Sequence, residues 1–148
     1  MFYLAYGMNS NTNQMSNRCP KAMSFGRYDL KDHRIVFRGV ADIEVSEGSV
    51  AQCVLWDITP ECEVELDILE GYPFFYDKKY ITVSVNGREY EAMFYQMTEG
   101  HVNYYPPNTY YQQMLEEGYS EHGLELDQIY TAEGFTYDDL WMEEYANG

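Results

Sequence analysis

Three histidines, three cysteines and nine basic residues against 25 acidic ones leave this 148-residue chain short of most common catalytic equipment. His33, His101 and His122 lie far apart, and none pairs with another at the spacing of a helical metal site. No metal is expected. The chain has no Gly-x-Ser-x-Gly elbow, no phosphate-binding P-loop and no glycine fingerprint for a dinucleotide. A cysteine–histidine nucleophile has no local pattern in its support. These gaps remove most metal-, nucleotide- and serine-dependent chemistries, and no cofactor is expected.

Cys19, Cys53 and Cys62 form no Cys-x-x-Cys pair. The opening run Phe2–Tyr6 is too short for the apolar region of a secretory signal. The thiols are therefore expected to be reduced and the compartment cytoplasmic. No apolar stretch approaches the length that spans a bilayer. The formal net charge of −16 opposes bare nucleic acid and anionic membranes, since like charges repel within a Debye length of roughly 8 Å. Neither is an expected partner. Such charge suits solubility; it can also mimic nucleic acid and block a basic protein, but the acids here are scattered and form no long run.

What is abundant is aromatic. Phe, Trp and Tyr make up 17% of the chain, with 16 tyrosines, and apolar residues make up 45%, which is enough for one buried core. Tyrosine joins buried ring area to a polar tip, and suits strands and the walls of polar ligand sites. Residues 1–6 read as a short buried strand that stops at Gly7. Caps at Asn9–Thr12 open a short helix over 12–18, ended by Pro20. Ile35–Phe37 has strong strand propensity. Residues 41–45 and 50–58 read as two strands around a Ser46-Glu47-Gly48-Ser49 turn. Thr59-Pro60-Glu61 starts a helix whose apolar side is Val64, Leu66, Ile68 and Leu69, and Gly71 closes it. Strands 81–85 and 90–95 should pair across Asn86-Gly87. Residues 109–117 look helical until Gly118, and a shorter helix covers 125–132. Asp138–Tyr145 forms a last acidic amphipathic turn or two, or frays. The class is a β-rich α+β barrel or sheet.

Two features carry chemistry. Tyr6-Gly7-Met8-Asn9 follows a strand directly, and a glycine there lets the backbone turn and a ligand approach while successive N–H groups cradle an anion. The plain reading is a strand-to-helix turn with Asn9 as a cap. The second is Leu66-Asp67-Ile68-Leu69-Glu70-Gly71. A carboxylate in a helix's last turn faces the negative end of the dipole, and burial adds to the same upward pKa shift that a general base at neutral pH needs. The plain reading is a solvated glutamate, and Asp67, one turn earlier, reads as structural.

Together these segments resemble the γ-glutamylcyclotransferase-like (AIG2-like) family. Phe2-Tyr3-Leu4-Ala5-Tyr6-Gly7-Met8-Asn9 is similar to its opening strand and Tyr-Gly-Ser-Asn turn. Arg18-Cys19-Pro20-Lys21-Ala22 resembles its Arg-x-Pro-x-Ala, and Val54-Leu55-Trp56-Asp57-Ile58-Thr59 its Val-Leu-Trp-Glu-Ile-Thr strand. Leu66–Gly71, with Tyr76 and Val83 beyond it, resembles the segment that carries the family's catalytic glutamate. Tyr95-Gln96-Met97, Pro106-Pro107, Tyr110, Gly118-Tyr119 and Gly123-Leu124 continue the match to about residue 131. It makes 1–132 one domain and 133–148 an acidic C-terminal extension, not a separate domain.

The resemblance implies a small mixed β-barrel with flanking α-helices, and a cavity for a small-molecule γ-glutamyl substrate. The implied reaction cyclises the γ-glutamyl group to 5-oxoproline and releases an amine or amino acid. Glu70 would be the general base and acid. Tyr6, Gly7, Met8 and Asn9 would hold the substrate α-carboxylate through backbone N–H groups, with Tyr76 and Tyr110 lining the pocket. The pattern departs at Met8, where the family usually has serine, and at Cys53, where a glycine is frequent. Two other readings stay open: a module that binds a γ-glutamyl-like ligand without turnover, and an acidic protein-interaction module.

Overall fold

The apolar run at the N-terminus becomes β1 (Phe2–Ala5), the middle strand of a five-stranded sheet. Tyr3, Leu4 and Ala5 are all buried, so both faces of β1 are covered. That is why its sequence does not alternate. The computed structural model describes residues 1–101 and 103–147, with side chains through Tyr137 apart from residue 102. The other strands are β2 (Met23–Phe37), β3 (Ala41–Asp57), β4 (Tyr76–Val85) and β5 (Arg88–Met97), in the spatial order β2-β3-β1-β5-β4. β1 runs antiparallel to β3 and parallel to β5.

The class is α+β with a mixed sheet and flanking helices, as the sequence indicates, but the sheet is open at β2 and β4 and does not close into a barrel. Its two edges do approach: the Ser84 N–H on β4 donates to the Tyr28 hydroxyl on β2 at 3.4 Å. The β4–β5 hairpin turns at Asn86 (φ 51°) and Gly87 (φ 80°), and Ile81 faces Ala92, as the Asn-Gly signal requires.

Ser46–Ser49 is not a hairpin turn. Residues on both sides of it pair with the same strand, Val45 opposite His33 and Val50 opposite Lys31, so β3 is one long strand with a bulge. The extra chain is held by the Gly48 N–H, which donates to Asp32 Oδ1 at 3.0 Å, and by the Ser46–Ser49 hydroxyl contact at 2.8 Å.

A 3-10 turn at Met8–Ser10 leads from β1 into α1 (Thr12–Arg18), capped by Asn11, whose side chain accepts from the Gln14 N–H at 3.2 Å. α2 (Pro60–Glu70) starts at the Thr59 cap and ends at Gly71 in the left-handed conformation (φ 64°), as expected. Its expected apolar side is not buried, however. Leu66 is buried, whereas Val64, Ile68 and Leu69 are 57%, 70% and 45% exposed. Beside the buried Leu66 and Cys62, polar contacts dock α2: Lys78, largely buried on β4, pairs with Glu63 at 3.3 Å and Asp67 at 3.0 Å, and the Tyr95 hydroxyl donates to Asp67 Oδ1 at 2.6 Å. Asp67 is thus a structural contact between helix and sheet.

The expectation of three reduced thiols is corrected for two of them. Cys19 and Cys62 form a disulfide that ties the end of α1 to the first turn of α2, while Cys53 is free and buried. The pairing spans 43 residues, so it leaves no local spacing for sequence analysis to detect. The two Cα atoms lie 5.1 Å apart, within bridging range.

α3 (Thr109–His122) runs on through Gly118 and stops at Gly123 (φ 72°). α4 (Asp127–Asn147) is one helix where a shorter one was expected. Its packing continues past residue 133, for Thr136 is fully buried and the Arg34 guanidinium lies 4.5 Å from the Phe135 ring centre. The amphipathic side chains expected over Asp138–Tyr145 lie outside the described residues. Among the described residues no helix is long and apolar enough to cross a membrane.

Candidate active site

Where β1 ends, the 3-10 turn pushes Asn9 inward until it is 3% exposed. Its main-chain carbonyl accepts from Trp56 Nε1 at 3.0 Å, which fixes the turn against β3. Its side-chain Nδ2 donates to the Tyr3 hydroxyl at 3.0 Å and lies 3.4 Å from Glu70 Oε1. Glu70 comes from the opposite side, as the last residue of α2. The wall between them is completed by Arg18, the last residue of α1, whose Nη1 donates to the main-chain oxygen (3.0 Å) and Oε1 (2.9 Å) of Gln14.

These groups surround a cavity of about 290 Å³, whose aromatic walls include Tyr3, Tyr6, Tyr76, Tyr95 and Tyr111. Three of these hydroxyls are fixed by backbone partners: Tyr6 donates to the Tyr95 carbonyl (2.5 Å), Tyr76 donates to the Ala41 carbonyl (2.6 Å), and Tyr111 accepts from the Ala41 N–H (2.9 Å). Two buried polar atoms here have no partner among the described residues, Asn9 Oδ1 and Arg18 Nε. Buried polar atoms are normally paired, so an orphan acceptor and an orphan donor at one cavity leave room for a polar ligand.

Burial pushes the Glu70 carboxyl up from 4.5 to about 7, and the nearby Arg18 charge only partly offsets it. Burial drives the phenols of Tyr3, Tyr6, Tyr76, Tyr95 and Tyr111 upward as well, which keeps them neutral. Of the carboxyl and phenol groups around this cavity, Glu70 is therefore the one poised to exchange a proton near neutral pH.

Glu70, Tyr6, Gly7, Met8, Asn9 and Tyr76 all line this one cavity. Tyr110 does not. It is 59% exposed, and its hydroxyl accepts from Gln14 Nε2 at 3.4 Å on the surface. Its neighbour Tyr111 faces inward, because α3 starts at Thr109 and successive helical side chains diverge by roughly 100°. Gly7 also has a packing role. A Cβ there would sit 2.9 Å from the Tyr111 hydroxyl oxygen and 3.2 Å from Ala41 Cβ, so the glycine makes room for a tyrosine of the wall.

Tyr3, Arg18, Tyr95 and Tyr111 also line the cavity, and none of them stands out in the sequence as a site residue. Tyr3, Arg18 and Tyr95 belong to segments that carry the resemblance, and Tyr111 directly follows Tyr110. Replacing Tyr111 by Phe removes the acceptor of the buried Ala41 N–H and should cost about 1–3 kcal/mol in urea unfolding. Tyr110→Phe should change stability by less than about 0.5 kcal/mol. Equal effects of the two changes would reverse this assignment.

Fold and cavity together define a class: a small α+β domain that holds one near-neutral carboxylate in an aromatic pocket. The sequence model of the family described as gamma-glutamyl cyclotransferase, AIG2-like, matches residues 3–120. A gamma-glutamylcyclotransferase of Bos taurus is 30% identical over 141 residues, which cover 84% of this chain and 73% of that protein. A solved structure described as gamma-glutamyl cyclotransferase superposes with a TM-score of 0.75 at 27% identity, covering 90% of this chain and 86% of that one. YkqA of Bacillus subtilis shares the fold, with a TM-score of 0.73 at 21% identity over 93% of this chain and 54% of that one. The chain belongs to the γ-glutamyl cyclotransferase, AIG2-like family. That membership supports a γ-glutamylcyclotransferase-like function.

Proposed function

We propose that this protein is a γ-glutamylcyclotransferase-like enzyme that closes a γ-glutamyl group to 5-oxoproline, with Glu70 as general base and then general acid. The observation that carries this reading is the Glu70 carboxyl, raised to about 7 at the wall of a cavity of about 290 Å³ that also holds an orphan acceptor and an orphan donor. A γ-glutamyl head presents an α-ammonium and an α-carboxylate. Asn9 Oδ1 can accept from the ammonium, and Arg18 Nε can donate to the carboxylate, alongside backbone N–H groups of the Tyr6–Asn9 turn. Tyr76 lines the wall beside them.

In the first step an α-ammonium proton passes to the Glu70 carboxylate. The freed amine attacks the γ-carbonyl carbon and forms the C–N bond of a five-membered ring. Collapse of the tetrahedral intermediate breaks the original γ-amide bond as the proton on Glu70 goes to the departing nitrogen. The ring nitrogen then gives its extra proton to the Glu70 carboxylate, and the released amine takes that proton and leaves as an ammonium. Ring closure within one molecule already supplies proximity, with effective molarities of roughly 10⁵–10⁸ M for well-oriented groups. The protein's task is thus proton transfer and orientation, which fits a site with one titrating carboxylate and a ring of neutral tyrosines.

The test is a panel of γ-glutamyl compounds incubated with the purified protein, with 5-oxoproline quantified by mass spectrometry. Formation of 5-oxoproline by the wild type and not by Glu70→Gln supports the reading. Silence of both folded proteins across the panel leaves the binding-module alternatives.

A further inference from the structure

The cavity is polar at its floor and apolar at its rim. Tyr3 and Asn9 are buried at the floor beside Glu70, whereas Leu69 and Phe75, from the last turn of α2 and the chain just after it, are 45% and 41% exposed where they line the same space. Met8 and Val40, both part-exposed, line it too. Past the rim the surface stays apolar, with Ile68 at 70% and Phe74 at 86% exposure. The docking of α2 rests on Leu66, Cys62 and the Lys78 and Tyr95 contacts, so the exposed surface of Ile68 and Leu69 is left over from it.

Charge is distributed just as unevenly. Among the residues that line the cavity only Arg18 and Glu70 are ionisable as full charges at neutral pH. On the cyclotransferase reading, the head's α-carboxylate takes Arg18 and its α-ammonium takes Glu70 and Asn9. Among the described lining residues no lysine or second arginine then remains for a second carboxylate; the nearest base, His101, is held ring to ring on Phe75 at 4.9 Å. A net charge of −16 disfavours a second carboxylate further. At about 290 Å³ the cavity is at or just below the small end of ligand pockets, roughly 300–1,000 Å³, so whatever the glutamyl head carries must emerge against Met8, Leu69 and Phe75.

Resting on that reading, we infer that the substituent on the released nitrogen is uncharged and apolar, aliphatic or aromatic, and that Met8 and Leu69 select it. Methionine at position 8 fits this directly. Its flexible thioether packs on varied apolar shapes, which a serine hydroxyl cannot do.

The experiment compares kcat/KM for 5-oxoproline release from γ-glutamyl conjugates of isoamylamine, benzylamine, glycine and glutamate. The isoamylamine and benzylamine conjugates should exceed the glutamate conjugate by about 10-fold or more, the scale on which an apolar pocket discriminates between side groups. Met8→Ser and Leu69→Lys should each shrink that ratio by several-fold. Leu69→Lys should also raise turnover of the glutamate conjugate relative to the others. Equal rates across the panel, or a preference for glutamate, overturn the inference and leave the reaction standing. If no conjugate yields 5-oxoproline, titration calorimetry with the same four compounds decides separately. Tighter binding of the apolar conjugates upholds the preference while the reaction falls, and absence of binding ends both.

Discussion

Glu70→Gln should lower 5-oxoproline formation by at least about 10²–10⁴-fold, the usual contribution of a positioned general base, and should at the same time make the protein more stable above pH 7. Both results come from one cause. The folded chain holds the Glu70 carboxyl near 7, against 4.5 in an ordinary setting, because burial disfavours its charge. Between those two pH values the folded state binds more protons than the unfolded one, so stability declines as pH rises through the interval. Below it the cost is absent; above it the cost is complete. Glutamine keeps a carbonyl acceptor for Asn9 Nδ2 but carries no charge, so the variant lacks that decline.

The expected gain at pH 8 is about 2 kcal/mol for a part-buried group, or about 5 °C in Tm, with no comparable gain at pH 4.5. Thermal unfolding of both proteins across pH 4.5–8 measures it. A variant that is inactive and no more stable at pH 8 than at pH 4.5, relative to wild type, would show that Glu70 is not held at a raised pKa. In the wild type, kcat/KM should rise with pH along a limb with its midpoint near 7 as the carboxylate forms. The site is thus a place where the fold gives up stability for a proton-transfer group at its working pH.

How much of this could be read from the chain varies with the physics involved. The Glu70–Gly71 helix end was legible because capping chemistry is local: Thr59, Pro60 and Gly71 mark both ends of α2, and an acid in the last turn is conspicuous against the dipole. The Asn86-Gly87 hairpin was legible for the same reason. What failed was long-range. The apolar residues Val64, Ile68 and Leu69 follow a helical period, yet ion pairs from Lys78 and the Tyr95–Asp67 bond decide which side of α2 meets the sheet. The Ser46–Ser49 turn signal is real as backbone chemistry, but Asp32 on the neighbouring strand converts it to a bulge. Tyr110 and Tyr111 are indistinguishable by composition, and only the starting residue of α3 says which one faces inward. The Cys19–Cys62 bridge depends on how α1 and α2 meet in space.

Gly118 is the clearest such case, and a substitution there should be among the most damaging single-methyl changes in the molecule. By local rules it is a helix terminator, but it sits inside α3. A Cβ at this position would lie 2.6 Å from the Asn11 nitrogen, 2.7 Å from Asn11 Cα and 2.7 Å from the Ser10 carbonyl carbon. All three are backbone atoms, and they belong to the segment that carries Asn9 into the cavity and caps α1. The clash cannot be relieved by rotating a side chain. α3 must retreat from that turn, and with it Tyr111 and Tyr119, whose hydroxyl donates to the Tyr6 carbonyl at 2.7 Å.

Gly118→Ala should therefore destabilise the protein by about 2–3 kcal/mol, even though alanine favours a helix over glycine by about 1 kcal/mol. It should also lower kcat/KM, since the wall that faces Glu70 moves. Gly134 in α4 supplies the comparison, because a Cβ there would meet nothing within 4 Å. Gly134→Ala should stabilise by about 0.5–1 kcal/mol through helix propensity alone. Urea unfolding midpoints shifted in opposite directions by the same chemical change would place the close approach of α3 to the 3-10 turn beyond doubt; stabilisation by both would mean the two elements do not meet at Gly118.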